Sequence, residues 1–225
     1  MERQGKKAIV LGATGLVGRL LTRKLLKNAQ YSEVLIMGRT PFGERDPKLT
    51  EIRADLHALE DFEHLFSGDV VFCCIGTTKA KTPDKKKYKA IDYGIPVTAA
   101  GLCKANGIPA FLVISALGAN PQSSLFYNRI KGEMEAAVLR YDLPHTYLLQ
   151  PSLIGGNRSE TRKGEKLAIK IMGLLQPIFR GPLAKYRIIE PDTIAEAMIY
   201  LAEKPQATPR IPSDQIQKLG QEAKS

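Results

Sequence analysis

The stretch that decides the fold reads AIVLGATGLVGRLLTRKLL and spans residues 8–26. An aliphatic run leads into three closely spaced glycines, Gly12, Gly15 and Gly18, and an amphipathic segment follows them. In a strand–turn–helix unit, such glycines permit a tight turn, a close approach to a pyrophosphate, and close packing of the helix on the strand. The helix then points free N–H groups and the positive end of its dipole at the phosphates. The stretch therefore predicts a dinucleotide site, and a purely structural turn is the alternative.

Short aliphatic runs and helical segments alternate along the rest of the chain. Runs such as VVFCCI and AFLVIS are apolar on both faces, as strands of a parallel sheet covered by helices on both sides must be. This alternation indicates an α/β fold, a doubly wound parallel sheet of the Rossmann type, formed by one domain of residues 1–225. The predicted strands are residues 7–11, 34–38, 51–53, 70–75, 110–114, 147–150 and 186–189. The predicted helices are residues 16–27, 56–66, 88–105, 125–141 and 192–203.

Composition and charge restrict the class of protein. Hydrophobic residues make up 44% and charged residues 25% of the 225 residues, which is typical of a soluble globular protein. The net charge of +10 raises the hypothesis of nucleic-acid binding, but the densest basic cluster, residues 77–89, contains no aromatic residue except Tyr88. A basic surface with a pocket for an anionic ligand is favoured. We expect neither nucleic acid nor a membrane surface as a partner.

The cysteines and the N-terminus bear on location. Cys73, Cys74 and Cys103 are odd in number, and two of them are adjacent in an apolar run. We interpret them as buried, reduced thiols whose spacing does not suit a metal site. The basic start of the chain leads into a short apolar run that stops at Gly12, which is a poor match to a signal peptide. We therefore expect a cytoplasmic protein without a bound metal.

The end of the second predicted strand bears on which dinucleotide binds. A site that prefers NAD usually places Asp or Glu there, to bind the ribose 2′-hydroxyl. In this chain the strand reads VLIMGRT, with Arg39 and then Thr40 at that place. A guanidinium there would pair with a 2′-phosphate, so NADP(H) is favoured over NAD(H). The alternative is that Arg39 caps a loop and stacks on the adenine.

The motifs GATGLVG, MGRT and RADL, with the segment VISALGANPQSSLFYNRIKGEMEAAV, resemble the short-chain dehydrogenase/reductase superfamily. The resemblance is strongest to its atypical NAD(P)-binding branch, the family of the thirty-kilodalton Tat-interacting protein and its bacterial relatives. It runs from Lys7 to about Gly220. It implies that Asp55 of RADL lies beside the adenine, where it would also cap the following helix. It also implies that the loop CIGTT, residues 74–78, lines the cofactor.

Tyr127 and Lys131 are four residues apart, so they share one face of a helix. Tyr200 and Lys204 have the same spacing, but only the first pair follows a strand-ending serine, Ser115. That combination matches the superfamily's Ser–Tyr–Lys triad. The resemblance implies that Tyr127 exchanges a proton with the substrate oxygen, that Lys131 lowers the tyrosine pKa and holds the nicotinamide ribose, and that Ser115 hydrogen-bonds the substrate. An exposed helical pair without a catalytic role is the alternative.

One residue departs from the superfamily pattern. Many members carry an asparagine on the preceding helix that completes a proton relay to the lysine, and in KAIDYGIPVTAAGLC the matching residue is Asp92. Two hypotheses therefore stay open. The first is an NADP(H)-dependent oxidoreductase acting on a carbonyl or alcohol, and the second is an NADP(H)-sensing module that recruits a protein partner with little or no turnover.

Three further segments complete the expectations. In LLQPSLIGG, Pro151 resembles the family's residue that passes over the nicotinamide. Residues 152–187 would cover the substrate, and their apolar residues favour core packing, with an apolar substrate, a homodimer contact or a membrane surface as alternatives. Residues 205–225 are expected to form a surface tail. The expected cofactor-binding residues are Gly12, Thr14, Gly15, Leu16, Val17, Gly18, Arg39, Thr40, Asp55, Leu56, Gly76, Thr77, Tyr127, Lys131 and Pro151.

Overall fold

The computed structural model describes residues 5–155 and 186–224. Within these residues, seven strands form one sheet in the spatial order β3-β2-β1-β4-β5-β6-β7, and all neighbouring pairs are parallel. The strands are β1 (Lys6–Leu11), β2 (Tyr31–Gly38), β3 (Leu49–Arg53), β4 (Val70–Cys73), β5 (Ala110–Ile114), β6 (His145–Gln150) and β7 (Arg210–Pro212). The predicted fold class is confirmed.

Helices cover both faces of the sheet. A 3₁₀ helix spans Leu56–Leu65, and a π-helical turn at Ala90–Gly94 joins α2 to α3. In α1, Val17, Leu21 and Leu25 recur every four residues and are buried, which is the apolar stripe that a surface helix needs. The α-helices of the described ranges are α1 (Leu16–Lys27), α2 (Lys85–Lys89), α3 (Ile95–Ala105), α4 (Phe126–Leu139), α5 (Pro191–Glu203) and α6 (Ser213–Glu222).

Two apolar layers hold these elements together, one on each face of the sheet. There are two layers because successive strand residues point to opposite faces. One layer contains Val10 and Leu112, and it packs against α1, α5 and α6. The other contains Leu11 and Val113, and it packs against the 3₁₀ helix, α3 and α4. The strands are therefore buried on both faces, as their two-sided apolar sequences predict.

The order of the strands reverses between β1 and β4, which are neighbours in the sheet although β2 and β3 come between them in sequence. Chain segments that leave the carboxyl ends of two such strands diverge, and a ligand crevice opens between them. The glycine turn follows β1, and the loop that begins at Cys74 follows β4. The topology thus brings both predicted cofactor loops to one edge of the sheet.

The predicted strand at residues 186–189 is wrong. Only Ile189 pairs there, in an isolated bridge with Ile154. The strand beside β6 is instead β7, which contains Pro212 and follows Pro209. Because β7 lies at the edge of the sheet, only one of its sides must supply hydrogen bonds, and prolines are tolerated there. Three residues, one of them a proline, give no alternating pattern that the sequence could reveal.

The surface tail expected at residues 205–225 is also corrected. In the described part, β7 extends the sheet and α6 packs on α5, burying Ile211 and Ile216. Gly220 permits this contact, since a Cβ atom there would collide with the backbone of Thr193. Most of α6 is polar, and it begins directly after a proline, which hid its single apolar side from the sequence pattern.

Candidate functional site

The glycine turn after β1 has the geometry that a close phosphate contact needs. Gly12 has a φ of 82°, and a Cβ atom there would lie 2.9 Å from the carbonyl oxygen of Cys74. The N–H of Gly15 donates to the Gly12 carbonyl oxygen at 3.0 Å. A Cβ atom at Gly18 would collide with that same carbonyl. Gly12 and Gly18 are thus required by the turn and by the close approach of α1 to it.

The first turn of α1 is free to receive an anion. Its N-cap, Gly15, offers no side-chain hydrogen bond to the helix, and no acidic residue lies in the first turn. Thr14 and Gly15 are exposed, Leu16 is half-buried and Val17 is buried. The free N–H groups and the helix dipole favour a phosphate at this end. The residues present therefore fit the pyrophosphate of a dinucleotide.

Arg39 and Thr40 are exposed and follow the end of β2. Nearby, Asp55 accepts a hydrogen bond from the His57 N–H at 3.2 Å and caps the 3₁₀ helix, while Leu56 is half-buried. Among the described residues, Arg39 forms no ion pair with a carboxylate. The Glu44 carboxylate, in the loop after β2, is held instead by two arginines of α1, Arg19 and Arg23.

Lys131 of α4 is buried and paired with a carboxylate. Its Nζ lies 3.0 Å from Oδ1 of Asp92, and the two side chains are 4% and 1% exposed. The ammonium also donates to the Ile114 carbonyl oxygen at the end of β5, at 3.2 Å. Asp92 reaches this position because it belongs to the π-helical turn, and such turns are frequent at functional sites.

Asp92 also holds the loop after β4. Its Oδ2 accepts the Thr77 N–H at 2.8 Å, and Gly76 lies close enough that a Cβ atom there would be 3.9 Å from the Lys131 Nζ. The hydroxyl of Tyr88 donates to the Thr77 carbonyl oxygen at 3.2 Å. The structure therefore brings Gly76 and Thr77, expected to line the cofactor, to the expected lysine.

Burial alone would lower the pKa of Lys131, because an ammonium is costly to remove from water. The negative charge of Asp92 and, more weakly, the Tyr127 phenol oppose this, and the resulting pKa lies above the ordinary value for lysine. Burial also raises the pKa of the neighbouring Cys73 thiol, to about 11. At neutral pH the site thus contains a charged lysine and a neutral thiol.

Ser115 follows β5 and is buried, with 3% of its surface exposed. Its hydroxyl donates to Oε1 of Glu135 at 2.5 Å. The same carboxylate accepts the Gln150 side-chain amide at 2.8 Å and the Arg210 Nε at 3.0 Å. Ser115 is therefore oriented toward Glu135 rather than left free to rotate.

The sequence pattern missed Glu135, Gln150 and Arg210. A signal for Glu135 was present, since it follows Lys131 by the same four residues that separate Lys131 from Tyr127. Tyr127, Lys131 and Glu135 all belong to α4, but Tyr127 is 44% exposed whereas the other two side chains are buried. Arg210 gave no signal, because it is 75 residues from Glu135 in sequence.

The second Tyr–Lys pair of the chain is a useful contrast. The Lys204 Nζ lies 4.8 Å from the ring centre of Tyr200 at the exposed end of α5. Neither residue contacts the loops after β1 and β4 in the described structure. Pro151, by comparison, is buried beside the loop after β5, and its carbonyl oxygen accepts the Leu117 N–H at 2.9 Å.

The remaining expectations concern the substrate-covering stretch, metal binding and membrane association. Most of the stretch expected to cover the substrate, including Leu167, Ile171, Leu174 and Leu175, lies outside the described residues. In the part that is described, no three His, Cys, Asp or Glu side chains are grouped to hold a metal ion, and no helix combines the length and apolarity that spanning a membrane takes.

A family model described as NAD(P)H-binding matches residues 12–168. Protein HTATIP2 of Rattus norvegicus is 32% identical over 178 residues, covering 77% of this chain and 73% of that protein. The mitochondrial protein FMP52 of Candida albicans is 32% identical over 199 residues, covering 80% of this chain and 85% of that protein.

Solved structures share the fold at low sequence identity. UDP-glucuronic acid 4-epimerase from Bacillus cereus, in complex with NAD, has a TM-score of 0.66 and 18% identity, covering 89% of this chain and 75% of that one. The enzyme WbmG from Bordetella bronchiseptica, also in complex with NAD, has a TM-score of 0.68 and 13% identity, covering 99% of this chain and 78% of that one.

These relatives correct the predicted location. Several fungal relatives are named as mitochondrial proteins, which contradicts the expectation of a cytoplasmic protein. That expectation came from the cysteines, interpreted as reduced thiols, and from the poor match of the chain start to a signal peptide. Neither property separates the cytoplasm from the mitochondrion, where imported proteins also carry free thiols and lack a secretory signal.

Proposed function

Because this chain belongs to the NAD(P)H-binding family of atypical proteins similar to short-chain dehydrogenases/reductases, we propose that it is an NADP(H)-dependent oxidoreductase acting on a carbonyl or alcohol. The proposal gives the proton-transfer step to Tyr127, with Lys131 and Ser115 as its supporting residues. It treats residues 1–225 as a single dinucleotide-binding domain in which residues 152–187 cover the substrate.

One observation carries the proposal: a buried, charged lysine lies one helical turn from an exposed tyrosine, beside the loop after β4. Lys131 is 3% exposed and Tyr127 is 44% exposed. A buried ammonium carries a desolvation cost of several kcal/mol, even when it is paired. Strongly perturbed charged groups of this kind are concentrated at functional sites, where the charge acts on a reacting group.

The side chains of this site suit proton transfer. The nicotinamide, when bound, supplies or accepts a hydride at the substrate carbon. Tyr127 donates its phenolic proton to the carbonyl oxygen as that oxygen gains charge, and in the opposite direction it removes the proton from the alcohol. The positive charge of Lys131 would stabilise the phenolate that forms when Tyr127 gives up its proton. Lys131 would also hold the nicotinamide ribose.

Arg39 supports the choice of NADP(H). It is exposed at the end of β2, where a 2′-phosphate is recognised in this fold. The neighbouring acid Glu44 is already occupied by Arg19 and Arg23. In the described ranges Arg39 has no carboxylate partner, and a guanidinium offers a paired donor geometry that suits phosphate.

A second function is favoured by the hydrogen bond of Ser115. Its hydroxyl hydrogen is engaged by Glu135 at 2.5 Å, so in this arrangement Ser115 has no hydrogen to donate to a substrate carbonyl oxygen. A module that binds NADP(H) and recruits a protein partner needs no such donor. The alternative function is therefore an NADP(H)-sensing regulatory module with little or no turnover.

Tyr127→Phe separates the two functions. For an oxidoreductase, we expect NADPH binding within about twofold of the parent protein, because the ring and its packing remain, and a rate lower by roughly 10² to 10⁴. Turnover is followed as NADPH absorbance with a panel of quinones, aldehydes and apolar ketones. Tyr200→Phe, in the second Tyr–Lys pair at the end of α5, is the matched control and should keep full activity.

Two results would count against the enzyme. Undiminished turnover by Tyr127→Phe would remove the tyrosine from the reaction. A parent protein that binds NADPH tightly but oxidises it with no member of the panel would favour the sensing module.

A further inference from the structure

The residue that departs from the superfamily pattern, Asp92, is the most enclosed charged group of the site. It is 0% exposed, and its two carboxylate oxygens have different partners. Oδ1 lies 3.0 Å from the Lys131 Nζ, and Oδ2 accepts the Thr77 N–H at 2.8 Å. An asparagine could accept the Thr77 N–H equally well, but it could not supply a negative charge to the lysine.

The groups around Lys131 show why that charge matters. The side chains that face the pair are Tyr127 on α4, Tyr88 on α2 and Cys73 on β4. Burial raises the pKa of Tyr88 and of Cys73 above their ordinary values, so both are uncharged at neutral pH. Among these described groups, Asp92 is then the anion that faces the ammonium.

Without that anion, burial would favour the neutral form of Lys131 over its charged form. A buried lysine that lacks a counter-charge favours its neutral form, and pKa values of 5–6 are known for such groups. The Ile114 carbonyl oxygen, 3.2 Å from the Nζ, is a dipole and compensates only partly. A neutral amine would lose the charge that holds an anionic cofactor and supports Tyr127.

We propose that Asp92 is a positioning residue that keeps Lys131 charged and in place, so that cofactor binding does not change with pH across the neutral and alkaline range. The inference rests on the proposed role of Lys131 in holding the cofactor. It makes Asp92 an electrostatic replacement for the superfamily's asparagine rather than a member of a proton relay.

The test is the pH dependence of NADPH binding by Asp92→Asn, measured by fluorescence titration between about pH 7 and pH 9. The 2′-phosphate is doubly ionised throughout this range, since its second pKa is about 6. For the parent protein we expect the dissociation constant to change by less than about twofold over this pH range, because Lys131 stays charged. For Asp92→Asn we expect binding at least about tenfold weaker than that of the parent protein at pH 9, where Lys131 has lost its proton.

Two control variants separate charge from structure. Asp84→Asn changes a carboxylate that caps α2 in the same helical segment and should leave the titration flat. Lys131→Gln should bind NADPH weakly at every pH, because it has no group to titrate. Binding by Asp92→Asn as tight as that of the parent protein at pH 9 would overturn the inference while leaving the proposed function intact. A parent protein that binds neither NADPH nor NADH would overturn both.

Asp92→Asn leaves a buried charge unpaired, and the variant can fail to fold for that reason. In that event, the double variant Asp92→Asn/Lys131→Gln, which removes both charges, should recover a soluble fold with weak, pH-independent binding. If the double variant is also unfolded, Asp92 serves packing rather than charge, and the inference is wrong.

Discussion

Tyr127, Lys131 and Glu135 follow one another at four-residue spacing on α4, and each has different surroundings. The tyrosine is largely exposed, the lysine is buried beside Asp92, and the glutamate is buried beside Ser115. Helical spacing predicted that the first two share one helix face, and the preceding Ser115 with the superfamily resemblance singled them out from Tyr200 and Lys204. The partners of Glu135 come from other segments of the chain, and local sequence gives no measure of such distances.

At this scale, we propose that Arg39 decides the choice between NADPH and NADH. We expect NADPH to bind at least about tenfold more tightly, a difference of about 1.4 kcal/mol, and Arg39→Ala to remove most of that gap. Fluorescence titration of both cofactors measures it. Arg140→Ala changes an exposed arginine at the far end of α4 and should preserve the preference. Equal affinities in the parent protein would contradict the assignment of Arg39.

Among the secondary-structure elements, those with a strong period were predicted and those without one were not. The two-sided apolar runs of β4 and β5 and the apolar stripe of α1 were found from sequence. The motifs around them also predicted the family, which the comparisons confirm. The π-helical turn was not predicted, since it lies inside one continuous helical pattern at residues 88–105. That turn is the local irregularity that brings Asp92 to Lys131.

The contact between α1 and α5 is strengthened by a small ion-pair cluster. Lys24 of α1 lies 2.8 Å from Asp192 and 2.6 Å from Glu196 of α5, and Lys224 lies 2.8 Å from Asp192. Burial acts to raise the Asp192 pKa, but its hydrogen bonds to Lys224 and Lys24 outweigh this and lower the pKa below 3.8. Because the pKa is lowered on folding, the stabilisation is present above that value and is lost as pH falls through the lowered pKa.

Asp192→Asn should therefore reduce stability at neutral pH but not in strong acid. Asp192 is 38% exposed, so solvent screening limits its contribution to about 0.5–1 kcal/mol, or a melting temperature lower by roughly 1–4 °C. Thermal unfolding at several pH values should show a difference in melting temperature that persists above about pH 5 and narrows as the pH falls through the lowered pKa of Asp192. The exposed Glu60→Gln change on the 3₁₀ helix is the control. A gap that widens in acid would refute the role of Asp192.

In the molecule as a whole, the C-terminal elements close the sheet and reach the site. β7 supplies Arg210 to Glu135, and the Ser213 hydroxyl at the start of α6 accepts the N–H of Ser152 at 3.1 Å. The segment after β6 is thus fastened by residues that come about sixty positions later. Sequence periodicity could not show this, because the contact is made by three-residue β7 and by a mostly polar helix.

The docking of α6 depends on Gly220. A side chain there would collide with the backbone of Thr193 on α5, so Gly220→Leu should cost about 1–3 kcal/mol and lower the melting temperature by roughly 2–12 °C. Limited proteolysis should also cut faster near residues 205–212. Ala223→Leu, at an exposed position at the end of α6, is the matched control. Equal melting temperatures for the two variants would show that the contact is unimportant.

The link between Arg210 and Glu135 also bears on how the site is completed during synthesis. A ribosome adds roughly 5–20 residues per second, so α4 and its tyrosine leave it several seconds before β7 does. During that interval Glu135 and Ser115 have no guanidinium beside them, and the segment after β6 is not fastened by Ser213. The site of the nascent chain therefore lacks the contacts of Arg210 and Ser213 until β7 and the start of α6 have emerged. Translation thus sets the earliest time at which these contacts can form.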